Sequence, residues 1–114
     1  MDKFTKAFLV ALLWSSTLED GTPLDRDHGI EDIHPDTLNP LKADCAKFQQ
    51  ENAELLSGLD PEQCGHDFAL TRGRHGVGFW DRGLGKVGKD LTKASHAYGE
   101  VDLYIGGDGQ LHSN

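Results

Sequence analysis

One segment constrains the fold more than any other, the nineteen residues Gly65-His-Asp-Phe-Ala-Leu-Thr-Arg-Gly-Arg-His-Gly-Val-Gly-Phe-Trp-Asp-Arg-Gly83. Two short apolar-aromatic runs flank a glycine-bounded Arg-His turn, a pattern that predicts a β-hairpin. With Arg74 and His75 at the tip, Arg72 faces Val77, Leu70 faces Phe79, Ala69 faces Trp80 and Asp67 faces Arg82. Phe68, Leu70, Val77 and Phe79 then share the face toward the core. On the other face the small Ala69 leaves room for the Trp80 ring, and Asp67 meets Arg82 as a cross-strand ion pair.

The elements around this segment follow from periodicity. A first helix is expected from about Lys3 to Ser15, apolar on most sides and therefore buried. A long polar stretch, Ser16 to Pro35, is broken by Gly21, Pro23 and Gly29 and is expected to be pinned by Ile30 and Ile33. Leu41, Cys45, Phe48, Asn52 and Leu55 form one helical stripe. Asn39 and Pro40 read as its N-cap and first-turn proline, with an earlier start capped by Asp36 as the alternative, and Gly58 as its end. Leu91, Ala94, Ser95 and Tyr98 mark a short third helix ended by Gly99. Val101, Leu103 and Ile105 alternate as a strand, and Gln110–His112 offers a further edge strand. The expected fold is one α+β domain over residues 1–114, of order ααββαβ. Its small antiparallel sheet, the hairpin plus the C-terminal strand, packs against three helices.

At 114 residues the chain supports one core. Its net charge of −8 is unevenly spread. Residues 1–71 carry five Lys/Arg against fourteen Asp/Glu, whereas residues 72–93 carry six against two. Phosphate repels such a molecule at long range, which disfavours direct nucleic-acid binding and favours a protein partner with a basic surface. Two cysteines nineteen residues apart, Cys45 in a helix and Cys64 in a loop, fit no zinc pattern and are expected as reduced thiols in a cytosolic compartment. The apolar run Ala7–Trp14 is too short to span a bilayer, and no small-x-small cleavage site follows it. A buried helix is the expected reading, with no membrane association.

Four constellations carry chemistry, each with a plainer explanation. Gly83-Leu-Gly-Lys-Val-Gly-Lys-Asp90 satisfies G-x-G-x-x-G and nearly satisfies a P-loop. Asp90 stands where a hydroxyl should hold magnesium, and about 25 residues follow, too few for the rest of a nucleotide-binding sheet. This segment is read as a connection, and no cofactor is expected. His66 and Asp81, beside Asp67 and Arg82, are the alternative catalytic pair. The six histidines show no close pairing, so no metal site is expected. Arg72, Arg74 and Lys86 form a basic patch open to a nucleic-acid reading, with Arg74 and His75 exposed at the hairpin tip. Finally Asp20, Asp25, Asp27, Glu31 and Asp32 space carboxylates along one segment, an arrangement that imitates phosphates to a protein built around Lys and Arg.

Gly65–Gly83, together with Ala97-Tyr-Gly-Glu-Val-Asp-Leu-Tyr-Ile-Gly-Gly-Asp-Gly109, resembles a family of small uncharacterised proteins of tailed bacteriophages. The string G-H-D-F-x-L-T-R-x-x-H-G-x-G-F-W-D-R carries the resemblance over roughly the C-terminal half. Weaker similarity lies at Leu13–Ser16 and from Asp44-Cys45 to Phe48. It implies a phage origin and the host cytoplasm, and it transfers no activity and no residue role. Together these readings lead to the expectation of a non-enzymatic phage accessory protein. It would bind a basic host protein, a nuclease or defence factor, through Asp20, Asp25, Asp27, Glu31, Asp32, Arg74 and His75. The alternatives are a small enzyme or ligand-binding domain at His66 and Asp81, and a nucleic-acid binder. The oligomeric state is left open.

Overall fold

A computed structural model describes residues 1–74 and 78–113. The predicted central hairpin is not there. The fold is helical, with helices α1 (Lys3–Ser15), α2 (Pro35–Glu51), α3 (Ala53–Leu56), α4 (Pro61–Arg72) and α5 (Lys86–His96). Strands β1 (Leu103–Ile105) and β2 (Leu111–Ser113) form a two-stranded antiparallel ribbon at the C-terminal end. The expected order ααββαβ is therefore corrected: the segment taken for the central hairpin forms α4 and a 3-10 turn at Phe79–Asp81. The pairings Leu70–Phe79 and Ala69–Trp80 lose their basis in a strand register. The pairing of Arg72 with Val77, and His75 of the predicted tip, fall on residues outside the described ones.

The reason is visible at the start of α4. Asp60 caps the helix by accepting from the Gln63 N–H at 3.1 Å, and Pro61 follows at the first helical position. This Asp-Pro start signal precedes a run, Glu62 to Asp67, that contains no β-branched residue to favour a strand. The alternation of Phe68 and Leu70 suggested a period of two, yet Cys64, Gly65, Phe68, Ala69, Thr71 and Arg72 are all buried. That spacing belongs to a helix enclosed on most of its circumference.

Helix α1 has the predicted bounds and occupies the centre of the molecule. Asp2 accepts from the Thr5 N–H at 2.8 Å, and this local bonding holds its carboxyl below the ordinary range. Phe4, Phe8, Leu9, Ala11, Leu12 and Leu13 are all buried. Helix α4 packs along it. A Cβ at Gly65 would run into the carbonyl oxygen of Phe4, so only glycine lets the two backbones approach this closely. All five phenylalanines are buried, in a cluster that joins α1, α2, α4 and the Phe79 turn. The closest pair is Phe48 on Phe68, with ring centroids 4.1 Å apart and stacked, and Tyr98 meets both edge-on.

Helix α2 starts earlier than either predicted cap. His34 accepts from the Asp36 N–H through Nδ1 at 3.0 Å, Pro35 opens the helix, and Pro40 lies inside it. Its stripe of Leu41, Cys45 and Phe48 is buried as expected. Helix α5 also starts earlier, within the glycine-rich connection. Gly85 at φ 62° turns the chain into it, and a Cβ at Gly88 would sit 2.9 Å from the Phe79 carbonyl oxygen. Turn geometry and close packing thus account for these glycines without a phosphate. Strand β1 is shorter than predicted, and the suspected edge strand pairs with it as β2, Tyr104 opposite His112.

Cys45 and Cys64 are both free and buried, but Cys64 belongs to α4 and not to a loop. Burial pushes the Cys45 thiol up to about 12 and the Cys64 thiol up to about 11, from 9.0. Two predictions follow from this packing. Gly65→Ala should destabilise the fold by about 2–3 kcal/mol despite alanine's better helix propensity, read as a lower denaturation midpoint. The thiols should resist alkylation in the native state and react fully in denaturant. Because their folded pKa values lie above the unfolded one, their contribution is intact below pH 9.0. Stability should fall as pH climbs toward about 11 and about 12.

Candidate functional site

The charged residues of the 65–83 segment are largely paired within the fold. Asp67, almost fully enclosed on α4, receives the fork of Arg82: Nη2 donates at 2.9 Å and Nε at 3.1–3.2 Å. Gln63, one turn earlier on the same helix, donates to the same carboxylate at 3.1 Å. The pairing predicted for a hairpin therefore exists, built instead by a helix and the end of a 3-10 turn. Hydrogen bonding to Asp67 raises the Arg82 pKa further. Thr71 accepts the Phe79 N–H at 3.3 Å, tying that turn to α4.

Arg72 is the second buried charge. Its Nη1 donates to Asp44 at 3.0 Å, its Nε to the Gly99 carbonyl at 3.0 Å, and its Nη2 to the Tyr98 carbonyl at 3.1 Å. The guanidinium lies 5.5–5.9 Å from the ring centroids of Phe8, Phe68 and Tyr98. Burial lowers its pKa, with Asp44 opposing. With 4% exposure, Arg72 is not available to a nucleic-acid backbone. Arg74 is exposed and lies 3.5 Å from Glu100, and exposed Lys86 lies 3.8 Å from Asp90. His75 lies outside the described residues. The basic patch read from the sequence is thus divided between a core cation and surface pairs.

The acidic segment is ordered by its own turns. Leu18 N–H bonds to the Thr22 carbonyl, Thr17 bridges Pro23, and short 3-10 turns form at Leu24–Arg26 and Ile30–Asp32. Leu24 and Ile33 are buried and Ile30 packs against the core, so the anchor missed in the sequence is Leu24. Asp20, Asp25, Asp27 and Glu31 are exposed. Asp20 accepts from the Thr22 N–H, which lowers its pKa. Asp32 departs from the expected row: its carboxylate turns back to accept the Gly29 N–H at 2.9 Å and lies 3.6 Å from His28.

His66 is half-buried on α4, its ring 5.6 Å from that of the exposed Trp14. It lines an open groove of about 670 Å³ between α1 and α4. Lys3, Lys6, Ala7 and Val10 supply one wall, Asp60, Glu62, Gln63 and His66 the other, and Arg82 also borders it. Asp81 is exposed and does not border the groove, so the proposed catalytic pair is not brought together there. Among the described residues, no group of three His, Cys, Asp or Glu side chains is placed to hold a metal ion. Among the same residues, no helix is long and apolar enough to cross a membrane.

Compared with known protein families, curated proteins and solved structures, the chain matches none.

The Asp67–Arg82 pair has unequal partners, and substitutions should show it. Arg82→Ala leaves a carboxylate that is only 2% exposed without its cation, and should cost about 3 kcal/mol. Asp67→Asn leaves a guanidinium already 34% exposed and free to turn to water, and should cost about 1–2 kcal/mol. Urea midpoints of the two variants give the order directly.

Proposed function

We propose that this protein is a non-enzymatic binding module whose acidic segment engages a partner with a basic surface. The observation that carries this reading is the combination of exposed carboxylates and buried anchors. Asp20, Asp25, Asp27 and Glu31 project from turns held to the core by Leu24 and Ile33. An ordered anionic surface loses less entropy on binding than a disordered one and steers a basic partner at long range. Support also comes from the 65–83 segment, where Asp67, Arg72 and Arg82 are engaged in fold-stabilising contacts.

A protein that handles nucleic acid, such as a nuclease or defence factor, offers the complementary rows of Lys and Arg. Resemblance to the phage family adds a host as the source of that partner and the host cytoplasm as the compartment. The reading as a ligand-binding domain rests on the groove beside His66, and Asp81 takes no part in it.

The test is charge reversal at two exposed positions, Asp25→Lys with Asp27→Lys. Folding stability should change by no more than about 0.5 kcal/mol, as for ordinary surface substitutions. Basic proteins captured from host lysate by the unaltered chain at low salt should be lost from the variant, and duplex DNA should displace them. Retention of the same proteins by the charge-reversed chain would overturn the proposal.

A further inference from the structure

The groove between α1 and α4 holds opposite charges that do not neutralise each other. Lys3 and Lys6 stand on one wall, Asp60 and Glu62 on the other. None of the four forms an ion pair within 4.0 Å among the described residues, although all border the same 670 Å³. Asp60 has one oxygen engaged in capping Gln63, and the Lys3 and Lys6 ammonium groups have no hydrogen-bond partner among the described residues. The charge of Arg82 is met by Asp67 beneath it. What remains is a groove of balanced sign in a chain of net charge −8.

Between the charges lies apolar surface. Ala7 and Val10 line the groove, Val10 being 44% exposed, and the His66 ring packs on Trp14 at its side. A dianionic phosphate meets both Lys3 and Lys6 here but is repelled by Asp60 and Glu62. A purely apolar ligand leaves all four charges unused. A ligand that carries an ammonium, a carboxylate and an apolar side chain satisfies every feature together. The volume lies within the range of about 300–1,000 Å³ usual for small-molecule sites.

We propose that the α1–α4 groove binds a zwitterionic α-amino compound with a free amino group, a free carboxylate and an apolar side chain, either a single amino acid or a short peptide. The carboxylate goes to Lys3 and Lys6, the ammonium to Asp60 and Glu62, and the side chain lies over Ala7 and Val10 beside His66. Such capture of chain termini relies on charge-assisted hydrogen bonds. The site is separate from the acidic segment, so the two proposals stand or fall independently.

The test uses the full chain carrying Trp80→Phe, which leaves Trp14 as the remaining tryptophan and alters a residue that is 55% exposed. Phenylalanine, the tripeptide Ala-Phe-Ala, and the tripeptide with acetylated amino or amidated carboxyl end are titrated against Trp14 fluorescence, with calorimetry as a second readout. Saturable binding of either free compound is expected, and the stronger one identifies the source as amino acid or peptide. Capping either end should weaken it about tenfold, the scale of one charge-assisted contact. In Lys6→Ala, where Lys3 remains, the penalty for amidation should shrink, and in Glu62→Gln, where Asp60 remains, the penalty for acetylation should shrink; circular dichroism checks that each variant is folded. Charge reversal at Asp25 and Asp27 should leave all of this unchanged. Absence of saturation with both free compounds, or affinity for both singly capped peptides equal to that of the free tripeptide, would overturn the assignment.

Discussion

A single buried guanidinium joins parts of this fold that lie 26 to 28 positions from it in sequence. Arg72 sits at the end of α4, yet its donors reach Asp44 on α2 and the carbonyls of Tyr98 and Gly99 beyond α5. Its planar face lies against the aromatic cluster that is the core. A lysine has neither the fork for three acceptors nor the flat surface for three rings. Removing the cation leaves two carbonyls without their donor and an opening among Phe8, Phe68 and Tyr98. Packing of α2, α4 and the chain after α5 is therefore one cooperative unit and not a set of separable contacts.

The sequence disclosed burial better than geometry. Phe68, Leu70 and Phe79 are in the interior as expected, and Asp67 does meet Arg82. Both outcomes follow from residue chemistry: large apolar groups leave water, and a buried carboxylate requires a cation, whatever backbone carries them. Backbone form was misread because a few alternating residues fit a strand as well as a fully enclosed helix. The deciding signal, Asp60-Pro61, lies outside the motif that drew the attention. Helix α1 was legible because Asp2 caps an uninterrupted run with no competing period. Leu24, a lone apolar residue in a polar stretch, has no periodicity that would mark it as an anchor. The α1–α4 groove was invisible for a different reason: its walls come mainly from residues 3–10 and 60–66, remote in sequence and brought together by the packing of α4 along α1.

These contacts divide the molecule into two functional layers. The 65–83 segment is largely occupied with holding helices together, which explains its Gly65, its Asp67–Arg82 pair and its Thr71 on structural grounds. The surfaces proposed for recognition are built largely from less distinctive residues, the exposed carboxylates between residues 20 and 31 and the first turns of α1 and α4. The distinctive sequence string is thus spent mostly on the fold, with His66 and Arg82 at its ends also bordering the α1–α4 groove.

The ribbon of β1 and β2 gives this arrangement an order in time. Leu111 is fully buried and bridges Ile33, its carbonyl accepts the His34 N–H at 2.9 Å, and Leu103 N–H bonds to the Ser16 hydroxyl at 3.2 Å. Residues 16, 33 and 34 are therefore fastened by residues made 77 to 87 positions later. During translation α1 has its partners on α4 and on the Leu24 turn well before Ser16, Ile33 and His34 have theirs on the ribbon, since contacts so far apart in sequence form only when both ends exist. The acidic segment thus has two kinds of anchor, Leu24 against α1 within its own half of the chain and the ribbon at Ser16 and Ile33–His34, so that loss of the C-terminal residues would loosen its ends while leaving Leu24 in place.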